Sequence, residues 1–240
     1  MSTYVMSDLH GNYEAYLTML QKINFQCGDK LYILGDILDR GPNPIKIILD
    51  VMKRPNVEVV AGNHCVMASK CLPLMIKEIT EESLSDTNNE LFIESLLNWQ
   101  QNGAFSTIDE LHRYDRKTQQ RIVDFIADFE LYKEIEVNET DYILVHAGLG
   151  NFSPNKDLWE YDLDDLVWKR PDYGQRYYEN IYVITGHTPT QLIKENPRPG
   201  YIYQANNHIA IDCGCSIPSG RLGCLRLDDM REFYVEEMGM

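Results

Sequence analysis

Features of membrane-spanning, exported and multi-domain proteins are all missing from this sequence of 240 residues. No apolar run approaches the roughly 20 residues that a bilayer-crossing helix requires, so we expect no membrane partner. The first residues, Met-Ser-Thr-Tyr-Val-Met, lack the basic and apolar segments of an export signal, and we therefore expect a cytoplasmic protein. Linkers, repeats and low-complexity tracts are also absent, which predicts a single domain over residues 1–240.

Paired cysteines and basic residues are scarce as well. None of the six cysteines forms a Cys-x-x-Cys pair, which argues against a zinc ribbon and favours reduced thiols that mostly pack in the interior. Lys and Arg total 22 against 37 Asp and Glu, and the formal net charge of −15 argues against a nucleic-acid partner. This charge does not exclude a phosphate site, because divalent cations bound in one place can reverse the local field.

Apolar runs of strand length alternate with amphipathic segments in the first quarter of the chain, which predicts an α/β fold. Strands are predicted at residues 2–8, 30–34 and 57–61, with helices at 13–23 and 43–52 between them. This alternation is typical of parallel strands joined by right-handed crossovers. Later strands are predicted at 142–146, 181–185 and 209–212, followed by an antiparallel hairpin of 222–227 and 232–235.

A change of composition at about residues 67–130 predicts a largely helical insertion, with a loop at 83–90. The simpler interpretation is that the insertion only covers one sheet, since charged helical faces are usually solvated. The alternative is that it also forms a wall of the substrate cleft.

Polar residues follow the ends of five apolar runs, and glycine lies beside them in most cases. The carboxyl ends of strands in α/β sheets gather along one edge, so we expect these polar residues to converge. Adjacent glycine would let the backbone turn sharply and approach a bound ion. The converging residues are Asp8, His10, Asp36, Asn63, His146 and His187.

The side-chain donors in this set are carboxylates, an amide and imidazoles, without a thiolate. Such donors suit Mn²⁺, Fe or Zn²⁺. Two cations about 3.5–4 Å apart can activate a bridging hydroxide for in-line attack on phosphorus. The sequence therefore predicts a metal-dependent hydrolase of phosphate esters.

The same motifs resemble a known family. The series Asp8-x-His10, Gly35-Asp36-x-x-Asp39-Arg40-Gly41, Gly62-Asn63-His64, His146-Ala147-Gly148 and Gly186-His187 is similar to the phosphoprotein phosphatase branch of the calcineurin-like metallophosphoesterases. Trp168-Lys-Arg-Pro and Ile211-Asp-Cys-Gly resemble its bacterial members, which include Ser/Thr phosphatases and symmetrical diadenosine tetraphosphatases. The resemblance implies a four-layer fold, in which two sheets form a sandwich flanked by helices.

The resemblance also implies roles by position. Asp8, His10 and Asp36 would bind one divalent metal ion. Asp36 would bridge to a second ion that is also held by Asn63, His146 and His187. Mn²⁺ is the leading candidate for both ions, with Fe or Zn²⁺ as alternatives.

Four further residues are predicted to act on the substrate. His64 follows a metal ligand and is the expected general acid, and Asp39 would orient it and favour its imidazolium form. Arg40 and Arg170 are expected to bind phosphate oxygens, because a guanidinium presents a planar fork that matches them. For Arg170 a surface role in capping a turn is an equal alternative.

Other positions are expected to be structural. Cys65 stands where many members of the family have Glu, so a carboxylate that could support the site is missing there, and we expect a packed thiol. Arg221 is expected to make a structural contact near the sheet, and His112 and His208 to be surface or packing residues.

Three functions remain open on the sequence. The leading hypothesis is a Ser/Thr-type phosphoprotein phosphatase, and the second is a hydrolase of diadenosine polyphosphates, which shares every motif. The third is a catalytically silent module that binds phosphorylated partners. A pocket lined by aromatic residues would favour the second, and the candidates for such a lining are Trp99, Phe105, Tyr173, Tyr177 and Tyr178.

Overall fold

The computed structural model describes residues 1–77 and 89–236, so most of the loop predicted at 83–90 lies outside the described residues. Within that part of the chain, two five-stranded mixed sheets are flanked by helices. Numbered in chain order, the strands are β1 (Thr3–Met6), β2 (Lys30–Leu34), β3 (Val57–Val60), β4 (Tyr132–Val137), β5 (Thr140–Val145), β6 (Ile181–Thr185), β7 (Tyr203–Ala205), β8 (His208–Ala210), β9 (Arg221–Arg226) and β10 (Arg231–Glu236). The first sheet has the order β10-β9-β1-β2-β3 and the second the order β4-β5-β6-β8-β7.

The first sheet contains the three early strands of the sequence prediction. Strands β1 (Thr3–Met6), β2 (Lys30–Leu34) and β3 (Val57–Val60) pair in parallel. Helices α1 (Tyr13–Lys22) and α2 (Pro44–Val51) connect them, which confirms the predicted alternation. The hairpin predicted at the end of the chain is formed by strands β9 (Arg221–Arg226) and β10 (Arg231–Glu236), which extend this sheet antiparallel to β1.

The second sheet has a parallel centre with antiparallel strands at its edges. Its centre consists of β5 (Thr140–Val145), β6 (Ile181–Thr185) and β8 (His208–Ala210). The edge strands β4 (Tyr132–Val137) and β7 (Tyr203–Ala205) were not predicted. β4 carries Lys and Glu among its apolar residues because an edge strand is partly exposed to solvent, and β7 is only three residues long.

The insertion is helical where the structure describes it. Helix α3 (Asn63–Met75) begins directly after β3, and α4 (Asn89–Gln101), α5 (Phe105–Leu111) and α6 (Arg116–Ala127) follow it. A short helix α7 (Leu163–Val167) lies between β5 and β6, and 3-10 turns occur at Leu158–Glu160 and Thr190–Leu192. No helix among the described residues is both long enough and apolar enough to cross a membrane.

The apolar core is divided into layers. Side chains from both sheets meet in one cluster, which includes Val5, Leu34, Leu144 and Ile184, so the sheets pack face to face. The outer face of the first sheet packs against α1, α2 and the insertion. The outer face of the second sheet packs against α7 and the segment before it. The four-layer sandwich expected from the resemblance is thus observed.

Backbone hydrogen bonds join the loops that follow the strands at one edge of the sandwich. The amide of His10 donates to the carbonyl of Asp36 at 2.8 Å, which ties the loop after β1 to the loop after β2. The amide of Gly186 donates to the carbonyl of His146 at 2.8 Å, which ties the loop after β6 to the end of β5. The polar residues that follow these strands therefore converge.

Candidate active site

One cavity of about 380 Å³ opens at this edge of the sandwich. The strand-end loops contribute five of the six predicted metal ligands to its lining, and His146 lies buried directly behind them. Both predicted phosphate-binding arginines also line it. The lining is formed by Asp8, His10, Asp36, Arg40, Asn63, Asn102, Trp168, Arg170, His187, Pro189, Asp212, Gly214, Ser216 and Ile217.

Asp36 occupies the centre of the polar cluster. Its Oδ2 atom lies 3.4 Å from Nε2 of His146, 3.8 Å from Nε2 of His10 and 3.9 Å from Nε2 of His64. Two groups with metal-binding geometry share this carboxylate, one with His10 and His64 and the other with His146 and His187. A carboxylate shared between two groups of donors is the arrangement that a bridged pair of cations requires.

Each predicted histidine ligand has one ring nitrogen occupied by a main-chain carbonyl. Nδ1 of His10 contacts the carbonyl of Leu38 at 3.0 Å, and Nδ1 of His146 contacts that of Leu34 at 2.7 Å. His187 is held the other way round, with Nε2 at 3.1 Å from the carbonyl of Trp168. Such a contact fixes the ring and its tautomer and leaves the second nitrogen turned towards the cluster as a donor to a metal.

The backbone at the site is unusual. Six of the ten predicted site residues have φ between +41° and +69°, a region that residues other than glycine rarely adopt. Conformations of this kind cost free energy and concentrate at functional sites, where the surrounding fold enforces them. The six residues are Asp8, His10, Asp36, Asp39, Arg40 and His187.

Gly62 shows why glycine is required next to a ligand. A Cβ atom at this position would lie 2.2 Å from Oδ1 of Asp36. With no side chain there, helix α3 begins close to Asp36, and the amide of His64 donates to its Oδ1 at 3.1 Å. The first turn of the helix thereby stabilises the negative charge.

The electrostatics of the cluster favour a cation. Burial raises the pKa of Asp8 to about 6, and it raises the pKa of Asp212 well above its usual value, with Asp8 adding to the effect. Burial also opposes the charge of Asp36, but His146 and His64 hold its pKa well below the usual range. Although burial opposes the charge of His146, Asp36 outweighs it and raises the pKa to about 9. Three buried carboxylates thus lie close together, and positive charge at this place would stabilise them.

The donor set therefore fits the metals that the sequence predicted. Oxygen and imidazole donors converge, the rings are anchored, and burial lowers the pKa of both His10 and His187 to about 3, which keeps them neutral as metal binding requires. His146, whose pKa Asp36 raises to about 9, would give up its proton when a metal replaces it beside Asp36. Neutral imidazoles and carboxylates suit divalent transition metals. Mn²⁺, Fe and Zn²⁺ all accept such donors.

His64 and Asp39 form a buried pair beside this cluster. Nδ1 of His64 lies 2.6 Å from Oδ2 of Asp39, and neither side chain is exposed. The contact with Asp39 leaves Nε2 of His64 on the side of Asp36 and Arg40, at 3.9 Å from Oδ2 of Asp36. Two residues of the insertion, Trp99 and Thr107, also donate to Asp39.

Arg40 lies against the same imidazoles. Its NH1 group is 2.9 Å from Nε2 of His10, and its NH2 group is 3.1 Å from Nε2 of His64. Arg40 thus contacts the ring nitrogen of His10 that is assigned to a metal, and it would have to release that nitrogen when a cation binds. Arg170 is exposed and lines the cavity near Trp168. Arg170 contacts none of these rings by hydrogen bond and can approach a phosphate in the cavity.

The sequence analysis gave no site role to half of the lining residues, among them Asp212 and Trp168, and it named aromatic candidates that lie elsewhere. Asp212 ends the strand predicted at 209–212, as Asp8 and His146 end theirs, so the signal was present but was not assigned a site role. Trp168 supplies an aromatic ring to the lining. The expectation for the five aromatics, Trp99, Phe105, Tyr173, Tyr177 and Tyr178, was wrong, because none of them lines this cavity.

The insertion does more than cover a sheet. Asn102 lines the cavity, and the carbonyl of Gly103 accepts a hydrogen bond from the amide of Arg40 at 3.0 Å. The simpler interpretation from the sequence was therefore wrong. A helical segment whose charged faces are solvated can still contribute the polar groups of a connecting loop to a site.

The remaining predictions concern structural residues. None of the six cysteines forms a disulfide, five are buried, and burial raises the pKa of Cys65 to about 12, as expected of an inert thiol. His112 is exposed and His208 is buried in the second sheet. Arg221 packs over the ring of Tyr201 at 3.9 Å, which is a structural contact.

Comparisons with known proteins show the family to which this chain belongs. The family model described as calcineurin-like phosphoesterase matches residues 1–191, and the chain belongs to that family. It is thus a metallophosphoesterase, a hydrolase of a family that uses divalent metals.

Two relatives and one solved structure are informative. The symmetrical bis(5'-nucleosyl)-tetraphosphatase of Buchnera aphidicola is 33% identical over 177 residues, which cover 69% of this chain and 62% of that protein. The asymmetrical bis(5'-nucleosyl)-tetraphosphatase PrpE of Anoxybacillus flavithermus is 24% identical, with 96% of this chain and 92% of that one covered. A crystal structure assigned as a diadenosine tetraphosphatase has a TM-score of 0.66 at 15% identity and covers 99% and 94% of the two chains, which supports the fold.

Proposed function

We propose that this chain hydrolyses dinucleoside polyphosphates at a phosphoanhydride bond, with two divalent cations held by Asp8, His10, Asp36, Asn63, His146 and His187. The observation that carries the proposal is the single cavity that combines the shared carboxylate Asp36 with two arginines. Anionic phosphates bind where cations and guanidinium groups face one cavity.

The relatives support the choice of substrate class. Two kinds of bis(5'-nucleosyl)-tetraphosphatase match the chain, and the match to the asymmetrical kind spans nearly the whole of both proteins. At the cavity itself, Trp168 is 36% exposed and can offer a ring face to a nucleobase. We therefore favour a diadenosine polyphosphate over a phosphoprotein, which was the leading hypothesis from the sequence.

The cations, when bound, would supply Lewis acidity and lower the pKa of water so that it attacks phosphorus. The chain's own residues orient the substrate. Arg40 and Arg170 donate to the phosphate oxygens, and their charge stabilises the charge that builds up during attack. Asn102 and Ser216 provide further polar contacts along the lining.

His64 supplies a proton to the departing oxygen. Asp39 accepts from Nδ1, so the proton to be transferred would be carried by Nε2, which lies 3.9 Å from Oδ2 of Asp36 and 3.1 Å from the guanidinium of Arg40. Arg40 would have to turn from Nε2 towards the phosphate before that transfer. When the bond between phosphorus and the departing oxygen breaks, the proton neutralises that oxygen. The Asp39 carboxylate holds the ring in its orientation and stabilises positive charge on it, as in other acid–base pairs of this kind.

One observation favours a second candidate, a phosphoserine or phosphothreonine phosphatase. The buried His64–Asp39 pair is an acid for the leaving group. A serine alkoxide needs such an acid more than a nucleotide phosphate does, because the alkoxide is the far stronger base. The pair is therefore compatible with both substrates, whereas a silent binding module would have no use for it.

The test is a comparison of substrates with purified protein supplied with Mn²⁺, and then with Zn²⁺ and Mg²⁺. We expect diadenosine tetraphosphate to be hydrolysed more efficiently than a phosphoserine peptide, judged by kcat/KM. Chromatography of the products separates asymmetrical cleavage, which gives ATP and AMP, from symmetrical cleavage, which gives ADP alone. A higher kcat/KM for the peptide would favour the phosphoserine or phosphothreonine phosphatase instead. If neither substrate were hydrolysed, both candidate functions would be refuted.

A further inference from the structure

The turn between helices α4 and α5 lies directly behind Asp39. We call residues 99–107 the α4–α5 corner. From it, Nε1 of Trp99 donates to Oδ2 of Asp39 at 2.7 Å, and the hydroxyl of Thr107 donates to Oδ1 at 2.5 Å. The two donors are 60 and 68 residues away from Asp39 in sequence.

These contacts are fully enclosed. Trp99, Thr107, Asp39 and His64 are each 0% exposed, so water cannot replace any partner. Oδ2 of Asp39 also contacts Nδ1 of His64 at 2.6 Å. With both carboxylate oxygens engaged, Asp39 cannot rotate away from the imidazole without leaving a buried polar group unpaired, which is costly.

The α4–α5 corner also accepts hydrogen bonds from two consecutive backbone amides, those of Asp39 and Arg40. The amide of Asp39 donates to the Thr107 hydroxyl at 2.9 Å, and the amide of Arg40 donates to the carbonyl of Gly103 at 3.0 Å. Asp39 and Arg40 have φ of +69° and +66°. The corner thus provides partners for two residues in an unfavourable conformation.

Gly103 has φ of +105°, and a Cβ atom there would lie 2.9 Å from Cγ of Arg40. The close approach of the corner to Arg40 therefore depends on glycine at this position.

We propose that Trp99 and Thr107 are positioning residues, which hold the Asp39 carboxylate so that His64 delivers its proton in the correct direction. The proposal rests on the proposed function, since it concerns the acid of that reaction. A segment that merely covered the sheet would need no polar contact with Asp39. Ser106, the neighbour of Thr107, shows the contrast, because its buried hydroxyl has no hydrogen-bond partner within the described part of the chain.

Three variants test the proposal by kinetics. Thr107→Val removes the hydroxyl but keeps the shape, Thr107→Ser restores the hydroxyl, and Trp99→Phe removes the indole donor. For phenyl phosphate, a poor leaving group, we expect kcat to fall about 10- to 100-fold in Thr107→Val and Trp99→Phe, as for other partners one step removed from a site. The fall should be several times smaller for 4-nitrophenyl phosphate, whose leaving group needs little protonation.

Two controls separate positioning from a general structural role. Thr107→Ser should regain most of the rate on phenyl phosphate. Ser106→Ala, in the same helix, should leave the ratio of the two rates at the parent value. The positioning role would be wrong if kcat of Thr107→Val fell equally on both substrates. It would also be wrong if kcat of Ser106→Ala on phenyl phosphate fell as much as that of Thr107→Val.

A spectroscopic measurement tests the same contact without turnover. The chain has three tryptophans, so a proton–nitrogen correlation spectrum contains three indole N–H signals. We expect the Trp99 signal to lie downfield and to exchange slowly, because its N–H donates to a buried carboxylate, and to shift in Asp39→Asn. The signal of Trp159, whose side chain is 74% exposed, serves as the internal reference.

The outcomes are distinguishable. If the parent protein hydrolyses no phosphate compound, the proposed function fails, while the indole spectrum still decides the contact. The parent protein could be active while Thr107→Val and Trp99→Phe keep its ratio of kcat on the two aryl phosphates. The positioning proposal then fails and the proposed function stands. Should Trp99→Phe not fold, the pair Thr107→Val and Thr107→Ser decides the outcome.

Discussion

Two regions of this molecule bury histidine to the same degree and give it opposite surroundings. At the strand-end site, His10, His64 and His146 are 3%, 0% and 0% exposed, and each has one ring nitrogen held by an oxygen. Within strand β8, His208 is 1% exposed, and its ring packs edge-on against Tyr177 at 4.3 Å. Neither of its ring nitrogens makes a hydrogen bond of normal geometry with the described residues.

The difference shows that burial alone does not make a histidine functional. Burial lowers the pKa of both His10 and His208, to about 3 and about 4, because removal from water disfavours the charged ring. Only at the strand ends does an anchored nitrogen leave the other one aimed at a polar cavity. The location at the end of a strand, where loops of several strands meet, creates that second condition.

Asp36→Asn should produce the largest effect, because it removes the shared carboxylate from the strand-end region. We expect kcat for diadenosine tetraphosphate to fall by more than about 10³-fold, since cations at such a site provide several kcal/mol of stabilisation in the transition state. Mn²⁺ at 100 times its dissociation constant should raise the free energy of unfolding of the parent by about 2.7 kcal/mol, and of this variant by much less. Thermal unfolding with and without Mn²⁺ measures the second effect. Activity that survived the substitution would contradict the ligand assignment.

His64→Asn should separate proton transfer from metal binding. We expect kcat to fall about 10²- to 10⁴-fold on substrates with poor leaving groups and less on 4-nitrophenyl phosphate. Stabilisation by Mn²⁺ should remain close to that of the parent, because His64 is assigned as an acid rather than as a ligand. Loss of that stabilisation would place His64 among the ligands, together with His10 and Asp36, whose donor atoms lie nearby.

Much of this strand-end region could be predicted from the sequence, for a physical reason. Strand periodicity and the residue that follows each strand are local properties, and the parallel topology then brings the ends together. Asp212 gave the same local signal after β8, where one more strand ends. Edge strand β4 escaped prediction because its charged residues obscure the apolar pattern of a strand.

The contacts from the insertion could not be predicted in this way. Trp99 and Thr107 meet Asp39 only through the packing of helices against the sheet, and the sequence pattern of a helix does not specify its partner. Trp99 therefore looked like a candidate for binding a nucleoside, although its ring is buried and its N–H donates to Asp39. Arrangements of this kind depend on tertiary structure rather than on local pattern.

His208→Phe tests the other side of the comparison through pH. The folded pKa of His208 is lowered from 6.5 to about 4, so the folded state binds the proton less well than the unfolded state does. Its contribution to stability is fully present above pH 6.5 and is lost as the pH falls towards 4, by up to about 3 kcal/mol. Urea unfolding should therefore show that the free energy of unfolding falls less between pH 7 and pH 5 in His208→Phe than in the parent. His112→Gln, at an exposed position, is the control, and equal losses in all three proteins would show that His208 is not buried as a neutral ring.

Trp168→Ala should have the smallest effect, because it changes the rim of the strand-end cavity and leaves its centre intact. The carbonyl of residue 168 would still hold Nε2 of His187, so the metal-binding donors should keep their geometry. If the ring stacks on a nucleobase, KM for diadenosine tetraphosphate should rise about 5- to 100-fold with little change in kcat, since stacking on an aromatic ring contributes roughly 1–3 kcal/mol per base. Trp159→Ala removes an indole that is 74% exposed and does not line this cavity, and it should leave KM unchanged. The Trp168 ring also meets the ring of His187 edge-on, with 6.1 Å between the ring centres. A fall in kcat without a change in KM would therefore mean that Trp168 supports His187 instead. That result would move Trp168 from the substrate side of the site to the group of contacts that anchor the strand-end histidines.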